Sequence, residues 1–407
     1  MIILEKEKVK EVIVERNVGF TTHEVIIIVM IALVCGTLIG SFVSFKRNNT
    51  ITKTNSNELS EFMYTYNNLT NDYYEKVDKD KLINSAIKGM IEYLDDPYTV
   101  YMEGKESEAF NETVEGEYYG IGALISKIED KILVSGIFTG TPAEKYGLKI
   151  GDQLIKVNDI DITPEMTSED VTKIIKDTSN NNVALKVLRD GTEQEIEIIK
   201  NKIDIPSVYS KTYERNDKKI GYIALSVFAS NTNQQFINEL KKIEEENIDS
   251  LIIDVRSNPG GHLSQVSQII NTFIDKSKVA YQIKSKGKIK PYYSNNNNPK
   301  KYNIVVLANG ESASASELLA AALKESAGAT IIGTKTYGKG TVQKAYPLSS
   351  GAIVKYTSEE WLTPNGNSIN KTGITPDIEE ELNANYYNDP KDENDNQLQR
   401  ALDELSK

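Results

Sequence analysis

One cysteine, Cys35, is all that the 407 residues contain. An intramolecular disulfide is therefore excluded, and so is a cysteine-based zinc site. Histidine is almost as scarce: His23 and His262 are the two. No His-rich metal centre can be built from them, and a histidine-dependent nucleophile would have to use one of these two. Positive charge is in deficit, with 47 Lys and Arg against 59 Asp and Glu and a net charge of −12. That balance argues against nucleic acid as a partner held by the overall field. What is present is an ordinary globular mixture, 39% hydrophobic and 26% charged, which excludes a chain that is disordered throughout. Because one hydrophobic core seldom serves more than ~250–300 residues, a chain of 407 is expected to hold several domains.

The first distinct feature is a run from Val25 to Phe45 without a charged residue. About 20 apolar residues cross a bilayer, so the run predicts an uncleaved transmembrane helix over 25–45. A signal peptide would have a shorter apolar region and a shorter preceding segment. Lys6, Lys8, Lys10 and Arg16 precede the run, and Lys46 and Arg47 follow it. The charge count favours residues 1–24 as a cytoplasmic tail and the large remainder outside. A polar linker follows, and then helical periodicity from Leu59 to Leu94. Phe62, Tyr66, Leu69 and Tyr73 form one stripe, and Leu82, Ala86, Met90 and Leu94 a second, in a helix that stops before Pro97. Residues 46–115 are therefore expected to form a linker and a small helical packing region.

Residues 116–202 change character. A glycine-punctuated loop, Gly116 to Gly122, runs into a strand, and Ile132–Ile137 is strand-like. Pro142 to Leu148 reads as a short helix ended by glycine, and Gln153–Asn158 as a strand. Thr167-x-x-Asp170 is a capping box for a helix over 168–177, and two strands flank an Asp190-Gly191 turn. This order resembles a bacterial-type PDZ domain. The resemblance implies that the amides of Gly120, Ile121, Gly122 and Ala123 cradle the terminal carboxylate of a peptide, which adds as a strand beside the helix.

Residues 203–378 alternate strands and helices, which predicts an α/β core. Ile220–Ser226, Ser250–Val255 and Asn303–Leu307 are buried-type strands, and Tyr292–Lys301 reads as an exposed loop. Two stretches of this core carry chemistry. Ser312, Ser314 and Ser316 alternate with alanine at a strand-to-helix junction, where helix amides can stabilise an oxyanion. Lys339 lies between Gly338 and Gly340, which let it approach other backbone; buried there, its pKa falls and it can act as a general base. Gln343 shares a face with Lys339 if the stretch is extended, and its amide oxygen can accept from the ammonium. Taken singly, Ser314-x-x-Glu317 is only a capping box and Lys339 only a turn lysine.

In this order, the stretches resemble the carboxy-terminal processing, or tail-specific, proteases. The match runs from about Leu59 to Ile378. It includes Leu94-Asp95-x-Pro97-Tyr98, Asp254-x-Arg256-x-Asn258-Pro259-Gly260-Gly261, the Ser-Ala-Ser-Ala-Ser-Glu stretch, Gly338-Lys339-Gly340-x-Val342-Gln343, and Thr363-Pro364-x-Gly366. The resemblance implies a serine peptidase core related in shape to the Clp protease and crotonase folds. It implies Ser314 as nucleophile, Lys339 as base and Gln343 as its orienting partner. The oxyanion hole falls to the amide of Ala315 with that of Gly260 or Gly261, and the sequence does not choose between the glycines. His262 follows the glycine pair but is not needed by this chemistry. No metal or cofactor is implied.

The expected protein is thus multi-domain: transmembrane helix, helical region, PDZ domain and α/β protease core, followed by an acidic tail over 379–407. It is expected to be a single-pass, extracytoplasmic endopeptidase acting on unfolded or tail-exposed proteins. Leu398, Leu402 and Leu405 have helical spacing, which fits either a homodimerisation helix or a frayed tail. Two competing functions are an inactive PDZ scaffold and acyl-CoA chemistry on a crotonase-like core.

Overall fold

The computed structural model describes residues 56–176 and 181–407. The expected membrane span, Val25–Phe45, lies outside the described residues; among those residues no helix is long and apolar enough to cross a membrane. The chain divides into two compact units between Ile87 and Lys88.

The first unit holds helix Ser56–Asn71 and most of helix Lys79–Glu92. Its two stripes are only partly covered: Tyr66, Leu82 and Ala86 are half-buried, while Phe62 and Leu69 are 41% and 40% exposed. Tyr73 lies past the end of its helix, because that helix stops at Asn71. The second helix ends at Glu92, short of Leu94, and Asp95 turns the chain with a positive φ of 46° before Pro97.

The second unit is organised by a six-stranded sheet in the order Val208–Arg215, Lys218–Leu225, Ser250–Asp254, Asn303–Ala308, Thr330–Gly333 and Ile378–Glu379. The first pair is antiparallel and the others are parallel. Ser250–Asp254 is buried along its whole length, as its unbroken apolar run predicts for a strand covered on both faces. Helices Thr232–Glu244, Leu263–Phe273 and Ala315–Ala322 cover one face. Phe236, Leu240, Ile270 and Leu319 pack there with Ile223, Ile253 and Val306.

The other face is closed by helix Asn396–Leu405. Leu398, Ala401, Leu402 and Leu405 are buried on Ile220, Ile252, Val305 and Ile332. This corrects both sequence alternatives: the leucine stripe is neither frayed nor offered to a second copy, because the sheet of its own chain takes it. Asp395 caps the helix, accepting from Leu398 N at 2.9 Å. Its carboxylate also pairs with Arg256, which grips Asp254 on the neighbouring strand at 2.6 Å. Asp395 and Arg256 are 4% and 13% exposed. Replacing Asp395 with alanine leaves a buried guanidinium half-paired and is expected to cost about 3–5 kcal/mol. The check is a lower denaturant midpoint at unchanged slope.

A second sheet places Val100–Met102, Ile353–Leu362, Val279–Ser285 and Lys288–Tyr293 side by side, with Thr341–Pro347 also on Ile353–Leu362. The loop expected over Tyr292–Lys301 is shorter than its polar composition suggests. Tyr292 and Tyr293 belong to a strand, Tyr292 stacks on Tyr281 with ring centroids 5.0 Å apart, and Ser294 is buried.

The PDZ-type segment has its own sheet and core. Strands Ala123–Ile128, Lys131–Ile137, Gln153–Val157, Asn182–Arg189 and Thr192–Ile199 are neighbours in that order. Val134, Leu154, Val171, Val187 and Ile198 are buried together. The predicted capping box forms: Thr167 N donates to Asp170 Oδ2 at 2.9 Å, and Asp170 N donates to Thr167 Oγ1 at 3.1 Å. Asp190 and Gly191 both have positive φ, 49° and 78°, as a two-residue hairpin turn of type I′ requires. Glu117–Gly120 pairs antiparallel with Asn201–Asp204, so the chain enters and leaves this segment along one ribbon.

Candidate active site

Of the three serines, only Ser314 lines a cavity, which has a volume of about 630 Å³. Ser312 and Ser316 are wholly buried and structural: their hydroxyls donate to Val255 O at 2.7 Å and Asn258 O at 2.8 Å. Ser314 precedes helix Ala315–Ala322 with φ 55° and ψ −111°. A non-glycine residue rarely adopts such a backbone, and the surroundings have to hold it there. The glycine loop does part of this. A Cβ on Gly260 would stand 2.8 Å from Ala313 O and 2.9 Å from Ser314 Cβ, so only glycine lets the two loops meet.

Glu317 does the rest. Its carboxylate is fully buried and accepts Ser314 N at 2.9 Å and Lys339 N at 2.9 Å on Oε2. On Oε1 it accepts Gly338 N at 2.7 Å and the Thr336 hydroxyl at 2.5 Å. The capping box expected of Ser314 and Glu317 forms, and the same glutamate also ties the serine loop to the lysine loop. Only its spacing from Ser314 hints at this, and that spacing says nothing about residues 336–339.

Lys339 faces the same cavity. Its flanking glycines allow the close approach expected of them: a Cβ on Gly338 would lie 2.9 Å from Gly373 N, and one on Gly340 2.8 Å from Asn370 N. Burial holds the lysine's pKa below its ordinary value. The Lys355 ammonium pushes it further down, while Asp96 and Glu317 oppose the shift. The ammonium lies 4.6 Å from the centroid of the Tyr98 ring, in the range of a cation–π contact. Burial and a bond with Tyr337 push the Tyr98 phenol up to about 12. Among the described residues no hydrogen bond joins Ser314 Oγ to Lys339 Nζ. Catalytic contacts are often long before substrate is bound.

Gln343 lines the cavity but does not touch Lys339. Its strand begins only at Thr341, and a bulge between Val342 and Gln343 breaks the alternation that would put the two on one face. Its amide nitrogen donates to the hydroxyls of Thr341 at 2.9 Å and Thr357 at 3.3 Å.

The glycine pair divides its work. Gly260 N donates to Asn258 Oδ1 at 2.9 Å, and Gly260 O accepts Phe228 N at 2.9 Å. Gly261 and Ala315, by contrast, line the cavity. His262 also lines it, but its Nε2 is 2.9 Å from Val114 O. A carbonyl can only accept, so that nitrogen carries a hydrogen and fixes the ring to helix Lys105–Glu115.

In the PDZ-type segment, Gly120 is paired in a ladder with Asn201, and the carbonyls of Ile121 and Gly122 accept Ala143 N and Phe138 N. Burial pushes the Tyr118 phenol up, with the Gly122 backbone opposing the shift. Ala123 begins a strand at the edge of its sheet, where an added strand can pair.

The pattern of Peptidase family S41 matches residues 219–380, that of the PDZ domain residues 120–199, and that of the activating protease CtpB N-terminal domain residues 39–106. The carboxy-terminal processing protease CtpB of Bacillus subtilis is 38% identical over 316 residues, covering 77% of this chain and 66% of its own length. The carboxy-terminal processing protease CtpA of the same organism is 37% identical over 331 residues, covering 81% of this chain and 70% of its own. The chain thus spans about two thirds of the length of these relatives. A crystal structure of a candidate S41 protease from Bacteroides fragilis shares the fold, with a TM-score of 0.50 at 18% identity over 82% of this chain and 91% of that one.

Proposed function

Since the chain belongs to peptidase family S41, as a carboxy-terminal processing protease with a PDZ domain, we propose that it is an endopeptidase cutting unfolded or tail-exposed proteins through a Ser–Lys dyad. One observation carries this reading: Ser314 and a lysine of lowered pKa open on one cavity, and the same buried carboxylate holds both of their loops.

The chemistry follows from the groups present. Lys339, neutral, takes the Ser314 hydroxyl proton as Oγ attacks the scissile carbonyl. The amides of Gly261 and Ala315 receive the oxyanion; Gly260 is passed over because its amide is committed to Asn258. The lysine then gives its proton to the leaving amine. A water, deprotonated by the same lysine, releases the acyl group and restores the serine. To do this, Lys339 leaves the Tyr98 ring. Gln343 keeps its amide oxygen available to accept from the lysine and fix its aim.

Substrate chain ends are read by the amides of Gly120–Ala123, beside the edge strand that Ala123 begins. The uncharged Val25–Phe45 run supports a membrane anchor with the catalytic part outside the cell. The test uses the full chain in membranes. It is expected to digest an unfolded protein, and external protease added to sealed cells is expected to remove the region after Phe45. Peptides ending in a free carboxylate are expected to bind more tightly than their amides by roughly 1.5–3 kcal/mol. Failure to digest any unfolded chain would leave the PDZ scaffold reading in its place.

A further inference from the structure

The cavity holds a second lysine that touches no reacting group of the proposed mechanism. Lys355 sits within strand Ile353–Leu362 and lines the cavity that holds Ser314 and Lys339. Its cross-strand neighbours are Val100 and Ala345, so neither adjoining strand offers it a carboxylate. Other lysines of this sheet are matched: Lys284 pairs with Glu360 at 2.8 Å and Lys344 with Glu359 at 3.9 Å. Among the described residues no ion pair forms at Lys355, and its ammonium rests 5.3 Å from the centroid of the Phe110 ring. Val114, Leu318, Val342 and Trp361 add further apolar wall. The residue is half-buried, and burial alone pushes its pKa down.

An ammonium held half out of water without an anion is costly, and a carboxylate entering the cavity would relieve that cost. The sheet could have placed a glutamate opposite, as it does for Lys284. It places valine and alanine instead, and the charge faces the space that the polypeptide must cross.

We infer that Lys355 is a specificity-determining residue of this cavity, whose ammonium takes a carboxylate of the bound polypeptide. The carboxylate is either an acidic side chain near the scissile bond or the free end of the chain. This rests on the reading of the cavity as the peptide-binding site, though not on turnover.

The experiment measures binding of fluorescent peptides to the full chain carrying Ser314→Ala, so that nothing is cleaved. At each position in turn, one peptide sequence is compared in four forms: with Glu or Gln there, and with a free or amidated end. The acidic form is expected to bind roughly tenfold more tightly than its neutral counterpart. The preference is expected to vanish with Lys355→Met, to survive in Lys355→Arg and to shrink as salt is raised. Sensitivity to Glu→Gln identifies a side chain as the source, and sensitivity to amidation identifies the chain end. The PDZ loop contributes an amidation effect that Lys355→Met does not move, so only the part that depends on Lys355 counts. An unchanged preference in Lys355→Met, or no difference between acidic and neutral forms before the substitution, overturns the inference. Digestion by the unsubstituted chain is read separately. If digestion fails while the Lys355-dependent preference holds, the protease reading falls and the subsite stands.

Discussion

Ser314→Ala and Lys339→Ala are each expected to cut the rate on an unfolded protein by roughly 10⁴-fold or more, and the double variant to be no slower than either. In the proposed dyad the two groups act as one unit, so losing the second costs nothing further. The direction of the pH dependence follows from the environment of the lysine. Burial first and Lys355 second hold its pKa below the usual lysine value, and only the neutral amine can take the serine proton. The rate should therefore rise with pH through that lowered pKa and level off above it. Lys355→Met removes the second cause, so the rising limb should move to higher pH. His262→Ala should keep most of the rate, because its Nε2 hydrogen is committed to Val114 O. Near wild-type digestion by folded Lys339→Ala would end the dyad reading, and loss of activity in His262→Ala alone would transfer the base to histidine.

Glu317 should be the most damaging position that touches no substrate. Its buried carboxylate accepts four donors from three places in the chain: Ser314, Thr336 and the Gly338-Lys339 pair. Glu317→Ala leaves those donors without a partner and is expected to cost about 3–5 kcal/mol. Glu317→Gln is the sharper test. Its size is the same, but its amide hydrogens must confront N–H or O–H donors on one side, at a cost of about 1–3 kcal/mol. The serine backbone, held at a φ of 55°, should relax with it. The rate is then expected to fall well beyond what the loss of folded protein accounts for, as seen by titrating active enzyme against denaturant midpoint. A glutamine variant with unchanged midpoint and unchanged rate would show that the carboxylate organises nothing.

What could be read from the sequence was whatever local pattern governs. The unbroken apolar run of Ser250–Asp254 announced a strand buried on both faces, and Asp190-Gly191 announced its hairpin, since few residue pairs accept two positive φ angles. Ser314 and Lys339 stood out through motif order, and their cavity joins them across residues far apart in the chain. Less was legible where a residue acts through distant partners. Glu317 looked like a cap, and Tyr98 and Lys355 carried no local signal, because their roles depend on a turn and a strand brought together by the fold. The leucines of Asn396–Leu405 could be seen to want burial, but periodicity does not name the surface that buries them. Gln343 failed the alternation argument because of one extra residue in the ladder, which no propensity marks.

The ribbon formed by Glu117–Gly120 and Asn201–Asp204 has a mechanical consequence. A domain on a single flexible tether wanders through a volume. One held by two hydrogen-bonded strands is restrained as by a strap, and here the Lys176–Glu112 ion pair at 2.7 Å adds a further tie. Under the proposed function, a polypeptide end held by the PDZ domain would thereby reach the protease core from a limited set of directions. The length of chain between that end and the nucleophile is then bounded by the geometry of the strap, so the cut would fall at a characteristic distance from the terminus, whatever the sequence between them.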